Sequence, residues 1–170
     1  MASFGQDPTK VREFNDFLLK IGTLNYTWTN TESLLIHFIA GLARCDKQVA
    51  VVIFLTLNTS RARLDLVERL AKMPGVPAEE RDAVLSLGRE MTRLSTLRNR
   101  YNHCIYAFDR EDGSPSTILM RIADRKSDIR MGRSDPIDYV ALAEIDDALA
   151  GLAELNARFW QTAVRFHYPL

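Results

Sequence analysis

Only two cysteines occur in 170 residues, Cys45 and Cys104. They make no disulfide framework and no zinc-ligand spacing, and that usage suits a reducing compartment. No sign of charge is in excess, since 22 Lys+Arg balance 22 Asp+Glu. Non-specific nucleic-acid affinity is mostly phosphate neutralisation, so a general polyanion binder is excluded while local basic patches are not. No apolar run approaches the roughly 18 residues of a membrane span, and AVVIFLTL at 50–57 falls well short. The opening MASFGQDPTKV has no apolar signal core. Gly-rich phosphate loops, metal-ligand clusters and serine nucleophile turns are all missing. The expectation is a cytoplasmic protein, one domain over residues 1–170, with no metal, no cofactor and no membrane partner.

What is present is helical rhythm. Hydrophobic residues make up 46% of the chain, enough for a sizeable core. Asp7-Pro8 reads as a cap followed by proline at the first helical position. Val11, Phe14, Leu18, Ile21, Trp28, Leu35, Ile39 and Leu42 then recur at three-four spacing to about Arg44. Asn25 and Glu32 are polar residues in that same rhythm. A second helix is expected from about Asp46 to Lys72, with Asn58, Thr59 and Ser60 as weak helix formers that bend it. After Pro74-Gly75, Pro77 opens a third, with Glu79 and Glu80 in its first turn. Its stripe runs through Val84, Leu87, Met91, Leu94, Tyr101, Ile105 and Phe108. A fourth covers about Leu142 to Phe166. Between the last two, short alternating segments within 116–133 predict a β-hairpin with its loop near Asp124–Ser127, ended by Asp135-Pro136. The fold class expected is all-α, an antiparallel four-helix up-and-down bundle with a small β-hairpin inserted before the last helix.

The polar stretch within TLRNRYNHCIY, residues 96–106, interrupts the third stripe. A residue in an α-helix turns roughly 100° and rises about 1.5 Å, so Arg98 and Asn102 share one face and Asn99 and His103 a neighbouring one. Arg98 and His103 stand roughly 140° apart, and two helix copies around a two-fold axis would bring such pairs into one cleft. Arginine offers a rigid fork of donors to phosphate, and histidine moves protons near neutral pH. With the 2′-hydroxyl of RNA as nucleophile, those groups suffice for metal-free phosphodiester cleavage. The same residues also fit a structural role: Arg98 as an ion-pair partner of Glu32, His103 as an interface histidine, Asn99 and Asn102 as helix-surface residues.

Arg98-Asn99-x-x-x-His103 resembles the signature of the HEPN superfamily, an Arg followed four to six residues later by His, often with Asn directly after the Arg. The likeness extends to a motif near the end of a long later helix and to a long first helix with TWTNTES at 27–33, and it covers about residues 8–166. The resemblance implies an antiparallel helical bundle that dimerises through the motif helix. Its active members are metal-independent endoribonucleases, common in toxin–antitoxin and defence systems. It maps catalysis onto Arg98 and His103, with Asn99 orienting the phosphate or the histidine. Some members are instead non-catalytic modules that bind nucleotide, RNA or a protein partner. One toxin branch has Tyr two residues after the His, where this chain has Ile105, with Tyr106 one later.

Around the motif, Asn102, Arg100 and Tyr106 are candidate substrate contacts, and Glu32 and Asn25 are candidates to hold Arg98. The expected partners are a second copy, RNA and an antitoxin protein. Arg121, Arg125, Lys126, Arg130 and Arg133 read either as an RNA-guiding strip or as a solvated ribbon. His37 reads as a satisfied core histidine, and His167 as inert near a fraying end.

Overall fold

The computed structural model describes residues 8–109, 113–120, 122–124 and 126–170, with the backbone alone at 122–124, 130 and 131. Pro8 opens α1 (Pro8–Ser33) at the expected place, while its expected cap, Asp7, lies outside the described residues. The helix does not run on to Arg44. Hydroxyls compete for its last carbonyls: Thr31 Oγ1 donates to Thr27 O at 2.9 Å and Ser33 Oγ to Asn30 O at 2.8 Å. The chain turns at Leu34 and restarts as α2 (Leu35–Ala43). Arg44, left-handed at φ 51°, closes α2, with its own N–H and that of Cys45 bonded back to Gly41 and Ala40.

The second expected helix also divides, into α3 (Lys47–Thr56) and α4 (Ser60–Ala71). Thr59 does not bend one helix; it caps a new one, its extended backbone letting Oγ1 accept from Ala62 N–H at 3.1 Å. α5 (Ala78–Asn102) begins after Pro77 with Glu79 and Glu80 in its first turn, as expected. α6 (Tyr139–Arg165) starts earlier than Leu142, because Asp138 Oδ1 accepts from the N–H groups of Val140 and Ala141, both at 3.0 Å.

The described residues are thus mostly helical, with small antiparallel sheets. The sheets correct the expected helix end and the expected hairpin. α5 stops at Asn102, and the stripe read through Ile105 and Phe108 belongs to β1 (Cys104–Phe108). β2 (Pro115–Leu119) pairs with β1, Cys104 opposite Leu119 and Phe108 opposite Pro115. Its other edge pairs with β5 (Ser134–Pro136), so Asp135-Pro136 lies inside a strand rather than ending one. Only β3 (Ile122–Asp124) and β4 (Ile129–Met131) form a hairpin within 116–133, Ile122 opposite Met131. Residues 104–108 are rich in β-branched and aromatic side chains, which fit a pleated, half-buried surface. Asp109 N–H donates to Ser114 O at 2.9 Å, which closes the β1–β2 pairing at this end, and Gly113 takes φ 72°.

Two compact units divide the chain, and the divisions fall within α1, α5 and α6. The first holds the chain through Asn25 together with Ser95–Leu149. Its core is Phe17, Ile21, Tyr101 and Ile145, with Phe14, Leu97, Cys104 and Tyr106 packed against them. Phe17 meets the Tyr101 and Tyr106 rings edge-on at 5.5 and 5.8 Å. The second unit holds Tyr26–Leu94 and Ala150–Leu170, around buried Trp28, Phe38, Leu87, Met91, Leu152 and Phe159. There Tyr168 packs so closely on Gly41 that a Cβ would come within 2.1 Å of its ring.

Candidate functional site

The motif lies where α5 hands over to β1, wholly within the first unit. His103 N–H still completes the helical ladder, donating to Asn99 O at 3.1 Å, while its own carbonyl accepts from Met120 N–H at 3.0 Å across the sheet. The Tyr101 carbonyl, which a continuing helix would give to the N–H of Ile105, accepts instead from Cys104 Sγ at 3.1 Å and Tyr106 OH at 3.2 Å. Burial raises the Cys104 thiol, and burial together with the neighbouring Cys104 pushes the Tyr106 phenol up to about 12.

Ser95, Asn99 and His103 are four residues apart and so form one row along the helix. With Thr96 and Arg100 they make one wall of a groove of about 490 Å³; Leu119 and Met120, at the end of β2, make the other. His103 is exposed, and among the described residues its imidazole has no hydrogen bond, ion pair or ring contact.

Arg98 is half-buried beside this row, held by amides. Its Nε donates to Asn25 Oδ1 and its Nη1 to Asn99 Oδ1, both at 3.2 Å. The Asn102 amide packs against both groups, one terminal atom 2.8 Å from Arg98 Nε and 2.9 Å from Asn25 Oδ1, the other 3.0 Å from Asn25 Nδ2. Asn25 is anchored in turn, its Nδ2 donating to Ile21 O at 3.1 Å. The structure thus brings Arg98, Asn99, Asn102 and Asn25 together, and Asn99 links that cluster to the groove.

Arg100 is engaged differently. Its Nη2 donates to Glu144 Oε2 and to Tyr101 OH, each at 2.7 Å, and its guanidinium lies 4.8 Å from the centre of the Tyr101 ring. Burial opposes the charge of Arg100, but Tyr101 and Glu144 outweigh it and the pKa stands raised. Burial likewise raises Tyr101 against the pull of Arg100. Arg100 ties the helix end to α6 while lining the groove with part of its side chain. Tyr106, expected as a substrate contact, packs on Phe14 and Phe17 in the core of its unit.

Glu32 belongs to the second unit, where its buried carboxylate accepts from Arg63 Nη1 at 3.1 Å. Arg63 also donates to Phe54 O at 3.1 Å and covers the Phe54 ring. Buried His37 is satisfied, its Nδ1 lying 2.6 Å from Pro169 O. Of the five basic residues expected as a strip, Arg121 and Arg125 lie outside the described residues. Lys126 is exposed, and Arg133 pairs with Asp135 at 2.9 Å.

Sequence reasoning missed Ser95, Thr96, Leu119 and Met120. The first two carried a signal, their spacing of four to Asn99 and Arg100. The other two reach the groove only through the β1–β2 pairing, which leaves no local trace. Among the described residues no cluster of His, Cys, Asp and Glu fits a metal ion, and no helix is long and apolar enough to cross a membrane. Compared with known proteins, the chain matches no family model, no curated protein and no solved structure.

Proposed function

We propose that this chain is a HEPN-type, metal-independent endoribonuclease that works as a homodimer through its motif helix, in a toxin–antitoxin or defence setting with an antitoxin protein as a further partner. On this reading the helices belong to an antiparallel four-helix bundle and each dimer carries a composite cleft. The observation that supports it most is the exposed, unengaged His103 imidazole on a groove wall with Asn99, which itself accepts from the Arg98 guanidinium.

The chemistry is a transesterification. One imidazole takes the 2′-hydroxyl proton, and the oxygen attacks the adjacent phosphorus. The guanidinium of Arg98 stabilises the doubly charged phosphorane. A second imidazole, protonated, gives its proton to the departing 5′-oxygen, leaving a 2′,3′-cyclic phosphate and a 5′-hydroxyl. Asn99 holds Arg98 in place.

The test is cleavage of total RNA in EDTA by wild type, His103→Ala and Arg98→Ala, after checking that all three are equally folded. Cleavage by wild type alone, with cyclic phosphate ends, is expected. Absence of cleavage by folded wild type supports instead a non-catalytic module that binds nucleotide, RNA or protein. Equal cleavage by all three means a contaminant.

A further inference from the structure

The groove beside His103 has two chemically unlike walls. The α5 wall carries hydroxyls and amides from Ser95, Thr96 and Asn99, and the opposite wall is Leu119 and Met120. Met120 is 64% exposed, although it is a large apolar side chain next to a polar surface. From these walls we infer that the groove holds one unpaired nucleobase, with Met120 and Leu119 as the platform under its face. The inference rests on RNA as the ligand of this site and adds where a base would sit.

Size comes first. A volume of about 490 Å³ lies within the range of roughly 300–1,000 Å³ of small-ligand sites. That is room for one nucleotide, so a single unpaired base is a ligand of the right size. Chemistry comes second. A planar heterocycle has apolar faces and a polar edge, which fits one apolar and one polar wall. A hydrocarbon would leave the Thr96 hydroxyl and the Asn99 amide nitrogen without partners, and a sugar would leave Met120 and Leu119 uncovered. Methionine is unbranched and polarisable, and its sulfur makes favourable contacts with aromatic rings. Unpaired RNA bases are commonly held on such platforms, usually aromatic. The ring expected as a substrate contact from the sequence, Tyr106, packs on Phe14 and Phe17 instead.

Position comes third. Met120 N–H donates to His103 O at 3.0 Å, so the platform and the histidine are fixed to each other by the backbone. The edge chemistry follows from Asn99. Its Oδ1 accepts from Arg98, and its amide nitrogen is left to donate. The base edge facing α5 is therefore one that accepts.

The experiment measures binding of the four nucleoside monophosphates, and of ribose 5-phosphate as a baseless probe, to the wild-type protein and to Met120→Glu. Because Met120 is exposed, the variant retains its fold, which circular dichroism checks. Wild type is expected to bind at least one nucleotide about tenfold tighter than ribose 5-phosphate, at the lower end of base-stacking effects. Met120→Glu is expected to abolish that advantage, read as the ratio of nucleotide to ribose 5-phosphate affinity, because the added carboxylate repels the phosphate common to both probes. Nucleotides bound no tighter than ribose 5-phosphate, including no binding of either, overturn the inference; so does an advantage that survives Met120→Glu. RNA cleavage by wild type alongside that result leaves the nuclease reading intact. A Met120-dependent base preference in a protein that cuts no RNA keeps the subsite and removes the nuclease.

Discussion

Tyr106→Phe removes one hydroxyl and leaves the ring on Phe14 and Phe17 in place. Near neutral pH the cost is one hydrogen bond to the Tyr101 carbonyl, about 1 kcal/mol. The larger signature is its pH dependence. The folded-state pKa of Tyr106 is raised to about 12, against an unfolded value of about 10. Between those values the unfolded chain loses the proton while the folded one keeps it, so stability falls as pH rises. The stability carried by this protonated phenol is complete below about pH 10 and is lost as pH approaches 12. Two units correspond to a ceiling of about 2.7 kcal/mol, and partial solvent access brings it to roughly 1–2 kcal/mol. Phenylalanine cannot ionise in either state. The advantage of wild type over the variant should therefore shrink by roughly 1–2 kcal/mol between neutral pH and about pH 12, and the two stability curves should meet or cross. Urea titrations of both proteins followed by far-ultraviolet circular dichroism measure this, and the raised Tyr101 and Tyr168 are common to both and cancel. Parallel curves would refute the reasoning, because they would mean that Tyr106 does not close the helix end from the core.

Two further outcomes bear on one contact in each unit. Asp138→Ala should cost about 1 kcal/mol of urea stability by leaving Val140 and Ala141 N–H groups uncapped, and Asp138→Asn should recover most of it. Glu32→Ala should cost roughly 2–4 kcal/mol by stranding the Arg63 guanidinium in a part-buried site; Glu32→Leu combined with Arg63→Leu should recover part of that loss, measured in the same titrations.

Long amphipathic segments were legible because their apolar faces repeat over many turns, and the starts of α1 and α5 followed from Pro8 and from Pro77 with Glu79 and Glu80. The break at Leu34 was not, and the weak helix formers at 58–60 signalled a bend rather than the break and new cap that Thr59 makes. Each break depends on one or two hydroxyl hydrogen bonds worth about 1 kcal/mol, too local to disturb the apolar rhythm on either side. β1 was misread because Tyr101, Ile105 and Phe108 satisfy helical spacing. The alternation of Cys104, Tyr106 and Phe108 was equally present, and only the pairing with β2 selects it. Asn25 and Glu32 gave the same signal, a polar residue in an apolar rhythm. One meets Arg98 through its amide, while the other is paired with Arg63, a partner its own segment could not name. The motif itself was visible because its residues are sequence neighbours; the Leu119–Met120 wall was not.

The engagement of the histidines argues for a second protomer in the proposed reaction. Cleavage by 2′-hydroxyl attack needs a base for one oxygen and an acid for the other. The chain has three histidines, and only His103 belongs to the first unit. His37 is buried and spends its Nδ1 on Pro169, and His167 sits in the turn after α6. One chain thus presents one exposed imidazole at the groove, and among the described residues nothing fixes that ring's orientation. A catalytic imidazole is normally oriented by a partner on its other nitrogen. Both the missing second proton carrier and the missing orienting contact are supplied if two His103 side chains meet across a two-fold axis around the same phosphate. The groove, by contrast, is built by one chain alone from α5 and β2. On the proposed reading base binding belongs to the protomer and cleavage to the pair, so dilution below the dimerisation constant should abolish cutting while leaving nucleotide affinity unchanged.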